Sequence, residues 1–144
     1  MKRIPSIAAV MTAFPYSIDA EADISAANAM MEKHQIAHLP VMEEGRLAGL
    51  LWHRDIRVAN GLQVQQEGIT VGRVCNRTPY IVELSERLDL VVLEMARRRA
   101  GAALVTRQGR LSGILTTTDV CRLLGETLRA AAHAPKDDDD GDVA

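Results

Sequence analysis

The chain has 144 residues, of which 47% are hydrophobic and 25% charged, the composition of a globular domain with its own core. The formal charge is only −2 and no run of 18 apolar residues occurs, which argues against a broad nucleic-acid-binding face and against a membrane span. Two cysteines, Cys75 and Cys121, form no CxxC pair, and this favours a reducing, cytoplasmic location.

The spacing of apolar and turn-forming residues predicts the same order of elements twice along the chain. The first set is a strand at 16–19, a helix at 22–34, hairpin strands at 38–43 and 47–52, and a helix from 53. The second set is a strand at 80–84, a helix at 86–99, strands at 102–106 and 111–116, and a helix from 117 that continues past 130. Ser85 is the expected N-cap of the helix at 86–99. Each set is a β-α-β-β-α unit.

Two segments of the sequence repeat each other without a gap. Residues 11–55 align with residues 75–119 at an offset of 64, and ten of the 45 paired positions are identical. Both copies contain a phrase that begins GRLxG and ends in aspartate, GRLAGLLWHRD and GRLSGILTTTD. One unit is too small to bury its own sheet, so we expect the two to pack as a single α+β domain with pseudo-two-fold symmetry.

The aspartate that closes each phrase has two possible explanations. Asp55 and Asp119 fall in the first turn of a predicted helix, where a carboxylate complements the positive end of the helix dipole. The same carboxylate can accept hydrogen bonds from two neighbouring ribose hydroxyls, and the helix N-terminus offers N–H groups to a phosphate. A hairpin turn and a strand account for GRLxG, whereas the aspartates remain candidate ligand-binding residues.

Several segments together resemble a known family. They are VMTAFP (10–15), HLPV (38–41), GRLAGLLWHRD (45–55), VCNRTPY (74–80) and GRLSGILTTTD (109–119). In this order they resemble a cystathionine-β-synthase (CBS) domain, and the pair resembles a Bateman module over roughly residues 4–130. The resemblance implies one repeat at 4–62 and a second at 68–130. The remaining 131–144 contains KDDDDGD and is expected to be an acidic, disordered tail.

The resemblance also implies a function. Such modules are regulatory and bind AMP, ADP, ATP or S-adenosylmethionine in clefts between the repeats, with no cofactor required. They commonly form homodimers, and here the effector would be a separate protein. The chain offers no catalytic motif, and its histidines form no metal site, so we expect no enzyme. The alternative function is a ligand-free module that mediates protein–protein assembly.

The family pattern assigns residues to two clefts, which we call the Asp119 cleft and the Asp55 cleft. In the family, the aspartate holds the ribose, the Thr three residues earlier contacts phosphate, and adenine lies against apolar residues. The residues assigned to the Asp119 cleft are Asp119, Thr116, Ile114, Thr12, Pro15, Tyr16, Ile36 and Ala37. Those assigned to the Asp55 cleft are Asp55, His53, His38, Leu50, Thr78, Tyr80, Ala100 and Gly101.

The Asp55 cleft departs from the family pattern, because Trp52 replaces the phosphate-contacting Thr or Ser. The indole either fills the cleft or stacks on a base. His38, His53 and Arg54 are candidates for meeting a phosphate there. Nearby, the arginines of ARRRA (96–100) either form a solvated helix end or supply one side chain to a ligand phosphate or a dimer partner.

Overall fold

The computed structural model describes residues 3–62 and 68–134. The elements in chain order are α1 Ile7–Val10, β1 Thr12–Ala13, β2 Ile18–Asp19, α2 Ile24–His34, β3 His38–Glu43, β4 Arg46–Trp52, α3 His53–Leu62, α4 Val71–Val74, β5 Ile81–Glu83, α5 Leu88–Arg98, β6 Ala102–Arg107, β7 Arg110–Thr116 and α6 Thr117–His133. The predicted α+β fold with two β-α-β-β-α units is confirmed. The short elements α1, β1 and α4 were not predicted, because each is only two to four residues long.

Helix α5 begins later than predicted, and helix α6 extends into the expected tail. Because α5 begins only at Leu88, its N-cap is Arg87 rather than Ser85, and Arg87 makes no side-chain capping bond. Helix α6 continues past residue 130 as predicted and ends at His133, so residues 131–133 of the expected tail are helical. The rest of that segment, 135–144, lies outside the described residues. Within the described part of the chain, no helix is long and apolar enough to cross a membrane.

The strands form two sheets of the same design. One has the order β1-β7-β6-β5 and the other β2-β3-β4. In each unit the first strand runs parallel to the second, and the second and third form an antiparallel hairpin. Both turn residues of each hairpin have positive φ, at Glu44–Gly45 and at Gln108–Gly109. Positive φ at both positions is the mark of a type I′ turn, which explains the first glycine of GRLxG.

The segment that precedes each unit crosses over to the other unit. We call residues 7–13 and 71–76 the crossing segments. Strand β1 pairs with β7 of the second unit, with Thr12 opposite Ile114, and Asn76 forms the equivalent bridge to Leu50 of the first unit. The core that contains Val82, Leu88, Val91 and Leu115 therefore includes Ile7, and the core of the first unit includes Val71. Each core is built from both halves of the chain.

The second glycine of each GRLxG phrase lies where a crossing segment passes. A Cβ atom at Gly49 would lie 2.5 Å from the carbonyl oxygen of Asn76, and one at Gly113 would lie 2.9 Å from that of Thr12 and overlap the Met11 sulfur. Contacts this short to backbone atoms require displacement of the crossing segment. These glycines therefore serve the packing between the units, in addition to any role in the strand.

The two sheets meet along a small apolar interface. It is formed by Leu50, Ala102, Leu104 and Ile114, with Leu47, Trp52 and Leu111 partly buried against it. Leu50 and Ile114 are equivalent residues of the two repeats, so this interface lies near the pseudo-two-fold axis. A cleft opens on each side of this interface, and each cleft is lined by residues of both repeats.

Candidate functional site

The Asp119 cleft is an open cavity of about 680 Å³. It is bounded by the N-terminus of α6, by the crossing segment and loop of the first repeat, and by the turn between α2 and β3. All eight residues that the sequence assigned to it lie in its wall: Thr12, Pro15, Tyr16, Ile36, Ala37, Ile114, Thr116 and Asp119. The lining also includes Ala13, Phe14, Gln35, His38, Thr118 and Arg122.

The Asp119 side chain is 6% exposed, and its two carboxylate oxygens contact different residues. Oδ2 accepts hydrogen bonds from the Thr116 N–H at 2.9 Å and the Thr116 hydroxyl at 3.0 Å, and the Asp119 N–H donates back to Thr116 Oγ1 at 3.3 Å. This capping box fixes the carboxylate at the first turn of α6. Oδ1 lies 3.4 Å from a guanidinium nitrogen of the exposed Arg122.

The opposite wall of the Asp119 cleft is largely apolar. Ile36, Ala37 and Ile114 all lie in the lining of the cavity. The Tyr16 ring stacks on His34, with centroids 3.7 Å apart and planes 13° from parallel, and this contact orients the phenol at the rim. A flat apolar wall opposite a carboxylate and an arginine can accommodate a molecule that has an aromatic ring, vicinal hydroxyls and an anionic end.

His38 lies in the Asp119 cleft and not in the Asp55 cleft, to which the sequence assigned it. The reason is the repeat itself, because the offset of 64 makes His38 equivalent to Ala102, which lines the Asp55 cleft. Burial lowers the pKa of His38, the charge of Arg54 lowers it further, and Asp119 opposes both effects. Both pKa-lowering effects favour the neutral imidazole, and its buried Nε2 has no hydrogen-bond partner among the described residues.

The Asp55 cleft is much smaller, at about 230 Å³. Of the residues assigned to it, Leu50, Thr78, Tyr80, Ala100 and Gly101 lie in its wall. Asp55 and His53 do not. The Asp55 carboxylate instead accepts the Trp52 N–H at 2.9 Å, a helix-capping bond equivalent to the one that Asp119 makes.

Trp52 occupies the space that is open in the other cleft. Its indole lies so close to Gly101 that a Cβ atom there would overlap the ring. The His38 ring meets it edge-on at 4.1 Å between centroids, and the Arg54 guanidinium lies 4.3 Å from its centroid. Of the two explanations for Trp52, the one in which it fills the cleft agrees with these contacts.

Arginines line the Asp55 cleft. Arg54, Arg98 and Arg99 all lie in its wall. Arg98 lies 4.4 Å over the Tyr80 ring and donates to Glu94. Arg97, which does not line the cleft, also donates to Glu94, and hydrogen bonds from these two arginines lower the pKa of Glu94 to about 2. The ARRRA segment therefore divides into an ion-paired helix end and a cleft wall.

A family model for the CBS domain matches residues 7–59 and 71–126, most of the chain and both repeats. The chain belongs to the CBS domain family. This CBS pair superposes on the crystal structure of a CBS domain pair in complex with 5′-methylthioadenosine and S-adenosyl-L-methionine, with a TM-score of 0.78. The two sequences are 26% identical, and the match covers 87% of this chain and 99% of the other.

Two curated proteins are also similar to this CBS pair. Hypoxic response protein 1 of Mycobacterium tuberculosis is 30% identical over 106 residues, 72% of this chain and 73% of the relative. L-aspartate semialdehyde sulfurtransferase of Methanocaldococcus jannaschii is 29% identical over 113 residues, 77% of this chain. That match spans only 21% of the sulfurtransferase.

Sequence reasoning missed several residues that line the Asp119 cleft of this CBS pair. Arg122 is three residues after Asp119 on α6, so helical spacing brings it to the same face, and this signal was present in the sequence. Gln35 lies at the C-cap of α2, with φ of 53°. Its equivalent, Arg99, has the same backbone conformation, so the repeat alignment could have located one from the other.

Proposed function

We propose that this CBS pair is a regulatory module that binds an adenosine nucleotide in the Asp119 cleft. The observation that carries the proposal is the buried Asp119 carboxylate at the floor of an open cavity. The capping box holds it in place through Oδ2, while the one hydrogen bond of Oδ1 within the described residues is the 3.4 Å contact with Arg122. A fixed carboxylate with an oxygen available is suited to accept hydrogen bonds from the vicinal hydroxyls of a ribose.

The other walls support the same ligand. Ile36, Ala37 and Ile114 offer apolar surface to a planar base. The related CBS pair that was crystallised with 5′-methylthioadenosine and S-adenosyl-L-methionine supports adenosine as the common part of the ligand. The ends of those two ligands differ, so the group attached to the ribose is decided by other residues.

The cationic side of the Asp119 cleft favours a phosphate at that end. Arg122 lines the cleft together with the hydroxyl-bearing Thr116 and Thr118, at the positive end of α6. A guanidinium binds phosphate through charge-assisted hydrogen bonds and repels the sulfonium cation of S-adenosylmethionine. Among the expected ligands, AMP, ADP and ATP are therefore favoured over S-adenosylmethionine.

Nucleotide binding is expected to stabilise the wild-type chain and to depend on Asp119. A ligand at one hundred times its Kd adds about 2.7 kcal/mol to the free energy of unfolding. In Asp119→Asn most of this gain is lost, because an amide is a weaker and less versatile acceptor for two hydroxyls. Thermal unfolding with AMP, ADP, ATP and S-adenosylmethionine measures the effect.

Asp55→Asn is the matched control for that experiment. Asp55 makes the equivalent capping bond on α3 but lies outside the wall of either cleft. Its variant should lose similar intrinsic stability and keep the full ligand-dependent shift. If both variants lose the shift equally, Asp119 acts only through stability. If no adenosine ligand shifts the wild-type chain, the ligand-free assembly module becomes the better account.

We also propose that the module dimerises through α6. Cys121, Leu124 and Leu128 follow one another at spacings of three and four residues, and all three are exposed. This is the seam spacing of packed helices, and the outer turns of α6 are exposed in the described structure. An unpacked helix end of this kind is only marginally stable in water. A second copy of α6 presents the same stripe and can cover it. Ligand binding can then signal by changing how the two α6 helices pack.

The dimer proposal predicts the result of a mass measurement. We expect light scattering after size exclusion to give twice 15.7 kDa for the wild-type chain and 15.7 kDa for the double variant Leu124→Glu, Leu128→Glu. Burial of four carboxylates at a symmetric seam is strongly unfavourable. Ile81→Glu, which changes an exposed apolar residue on β5, should remain dimeric. A monomeric wild type, or a dimer in the double variant, contradicts the assignment to α6.

A further inference from the structure

The two clefts have the same backbone but opposite chemistry. The offset of 64 relates nearly every residue that lines the Asp55 cleft to one in or beside the Asp119 cleft. The pairs that differ most are Thr118 with Arg54, Gln35 with Arg99, His34 with Arg98, and Thr116 with Trp52. Three positions that carry no permanent charge on one side therefore hold arginines on the other.

These arginines give the Asp55 cleft an uncompensated positive charge. Arg98 shares the half-buried Glu94 with Arg97, but Arg54 and Arg99 form no ion pair within residues 3–62 and 68–134. Among the described residues, no acidic side chain lines this cleft, and the Asp55 carboxylate is engaged in its capping bond with the Trp52 N–H. Like charges converging on one cavity favour an anion, which screens them from one another.

The remaining space restricts the size of that anion. Trp52 fills the region against Gly101, whose counterpart Ala37 lines open space in the Asp119 cleft. About 230 Å³ is left, a third of the volume of the other cleft. Thr78 and Asn76 complete the polar wall and are hydrogen-bonded to each other at 3.1 Å. A nucleoside therefore meets the indole, whereas a compact oxyanion does not.

We propose that the Asp55 cleft binds a diphosphate group between Arg54 and Arg99, and that Trp52 excludes a nucleoside from it. A planar guanidinium group can donate two parallel hydrogen bonds to phosphoryl oxygens, whereas a compact ammonium acts as a point charge. This site differs from the proposed nucleotide site in its location, its residues and its ligand. It stands even if the Asp119 cleft binds nothing.

The single tryptophan of the chain makes this site directly observable. Inorganic pyrophosphate that engages Arg54 draws the guanidinium from the indole, so titration should change Trp52 emission. Arg54→Thr and Arg99→Gln give the Asp55 cleft the residues of the other cleft. Gln35 has φ of 53° and Arg99 has φ of 54°, so glutamine fits that backbone. Because each arginine contributes charged hydrogen bonds, each variant should bind pyrophosphate at least about tenfold more weakly.

Two further arginine variants keep the result interpretable at constant ionic strength. Arg107→Gln removes an exposed charge at the end of β6, and Arg122→Gln removes the one in the Asp119 cleft. Both should bind pyrophosphate as the wild type does, measured by calorimetry as well as by emission. Equal weakening in Arg107→Gln shows diffuse charge attraction, and loss in Arg122→Gln alone locates the anion in the Asp119 cleft. Either result, or no binding to the wild type, overturns the proposal.

The excluding role of Trp52 has its own test. Trp52→Thr copies Thr116, so the enlarged Asp55 cleft should admit adenosine, and calorimetry should count one more adenosine site than in the wild type. An unchanged number of sites in a folded Trp52→Thr chain refutes exclusion by the indole. Titrating ADP into Asp119→Asn distinguishes the sources of the anion. Binding as tight as that of pyrophosphate identifies a diphosphate whose carrier molecule remains outside the cleft, and weaker binding identifies the free anion.

Discussion

Replacement of Ile7 by alanine is expected to lower the free energy of unfolding by about 2–5 kcal/mol, the range for a large aliphatic residue truncated in a core. Ile7 lies in a four-residue helix at the edge of the first repeat, yet it is 0% exposed. Its side chain fills the core of the second repeat beside Val82, Leu88 and Leu115. The substitution loses the transfer free energy of the removed methyl and methylene groups. It also adds the cost of a cavity, because the surrounding residues close the space only partly. Urea unfolding measures the change.

The control for this prediction is Ile4→Ala, three positions earlier in the same segment. Ile4 is 45% exposed and contributes to neither core, so its truncation should change the free energy of unfolding by well under the effect at Ile7. If Ile7→Ala is as mild as Ile4→Ala, then the crossing of α1 into the second repeat does not stabilise the domain. Unfolding of the two repeats in separate transitions would contradict the shared cores as well.

Replacement of Gly113 by valine is expected to remove both stability and nucleotide binding. Any side chain at Gly113 meets Met11 and the backbone of Thr12, which cannot move aside without breaking the pairing of β1 with β7. Overpacking of this kind costs about 1–3 kcal/mol, and displacement of β1 adds the loss of the Ile7 contacts. Displacement also moves Thr12, Pro15 and Tyr16, which form one wall of the Asp119 cleft.

Gly125→Val is the matched control. Gly125 lies on α6, where, apart from the helix's own backbone, no atom of the described residues comes within 4 Å of an added Cβ atom, so the same substitution there should leave the fold and the Asp119 cleft intact. The affinity for AMP, measured by calorimetry, and the free energy of unfolding, measured in urea, should both be lower for Gly113→Val than for Gly125→Val. A Gly113→Val chain that keeps its stability and binds AMP like Gly125→Val would show that the crossing segment is not held at this point.

The internal repeat made most of the fold predictable. The hairpin strands were predicted to within a residue because the turn glycines and the apolar alternation act locally. The crossing segments were missed because α1, β1 and α4 have too few residues to show a period, and their partners lie in the other unit, as Ile114 does for Thr12 and Leu50 for Asn76. Pairing over such a distance leaves no local signal.

In the candidate site as well, the residues set by the repeat pattern were predictable, and those set by the arrangement of the two units were not. The residues assigned to the Asp119 cleft all lie in its wall, because each belongs to a phrase whose position in the repeat is fixed. His38 was assigned to the other side, since which cleft a β3 residue faces depends on how the two units are arranged around their common axis. The sequence showed that Trp52 was unusual, but only its contacts with Gly101, His38 and Arg54 decide that it fills the cleft.

By itself the sequence determined the number of repeats, the order of their main elements, and the placement of an aspartate at each helix start. These depend on interactions within a few residues: apolar period, turn conformation and helix capping. The tertiary structure decided that the repeats exchange their crossing segments, that Asp119 lines a cavity while Asp55 does not, and that three arginines share one small cleft. These depend on side-chain volume and charge brought together across the pseudo-two-fold axis, where residues distant in the chain exclude or attract one another.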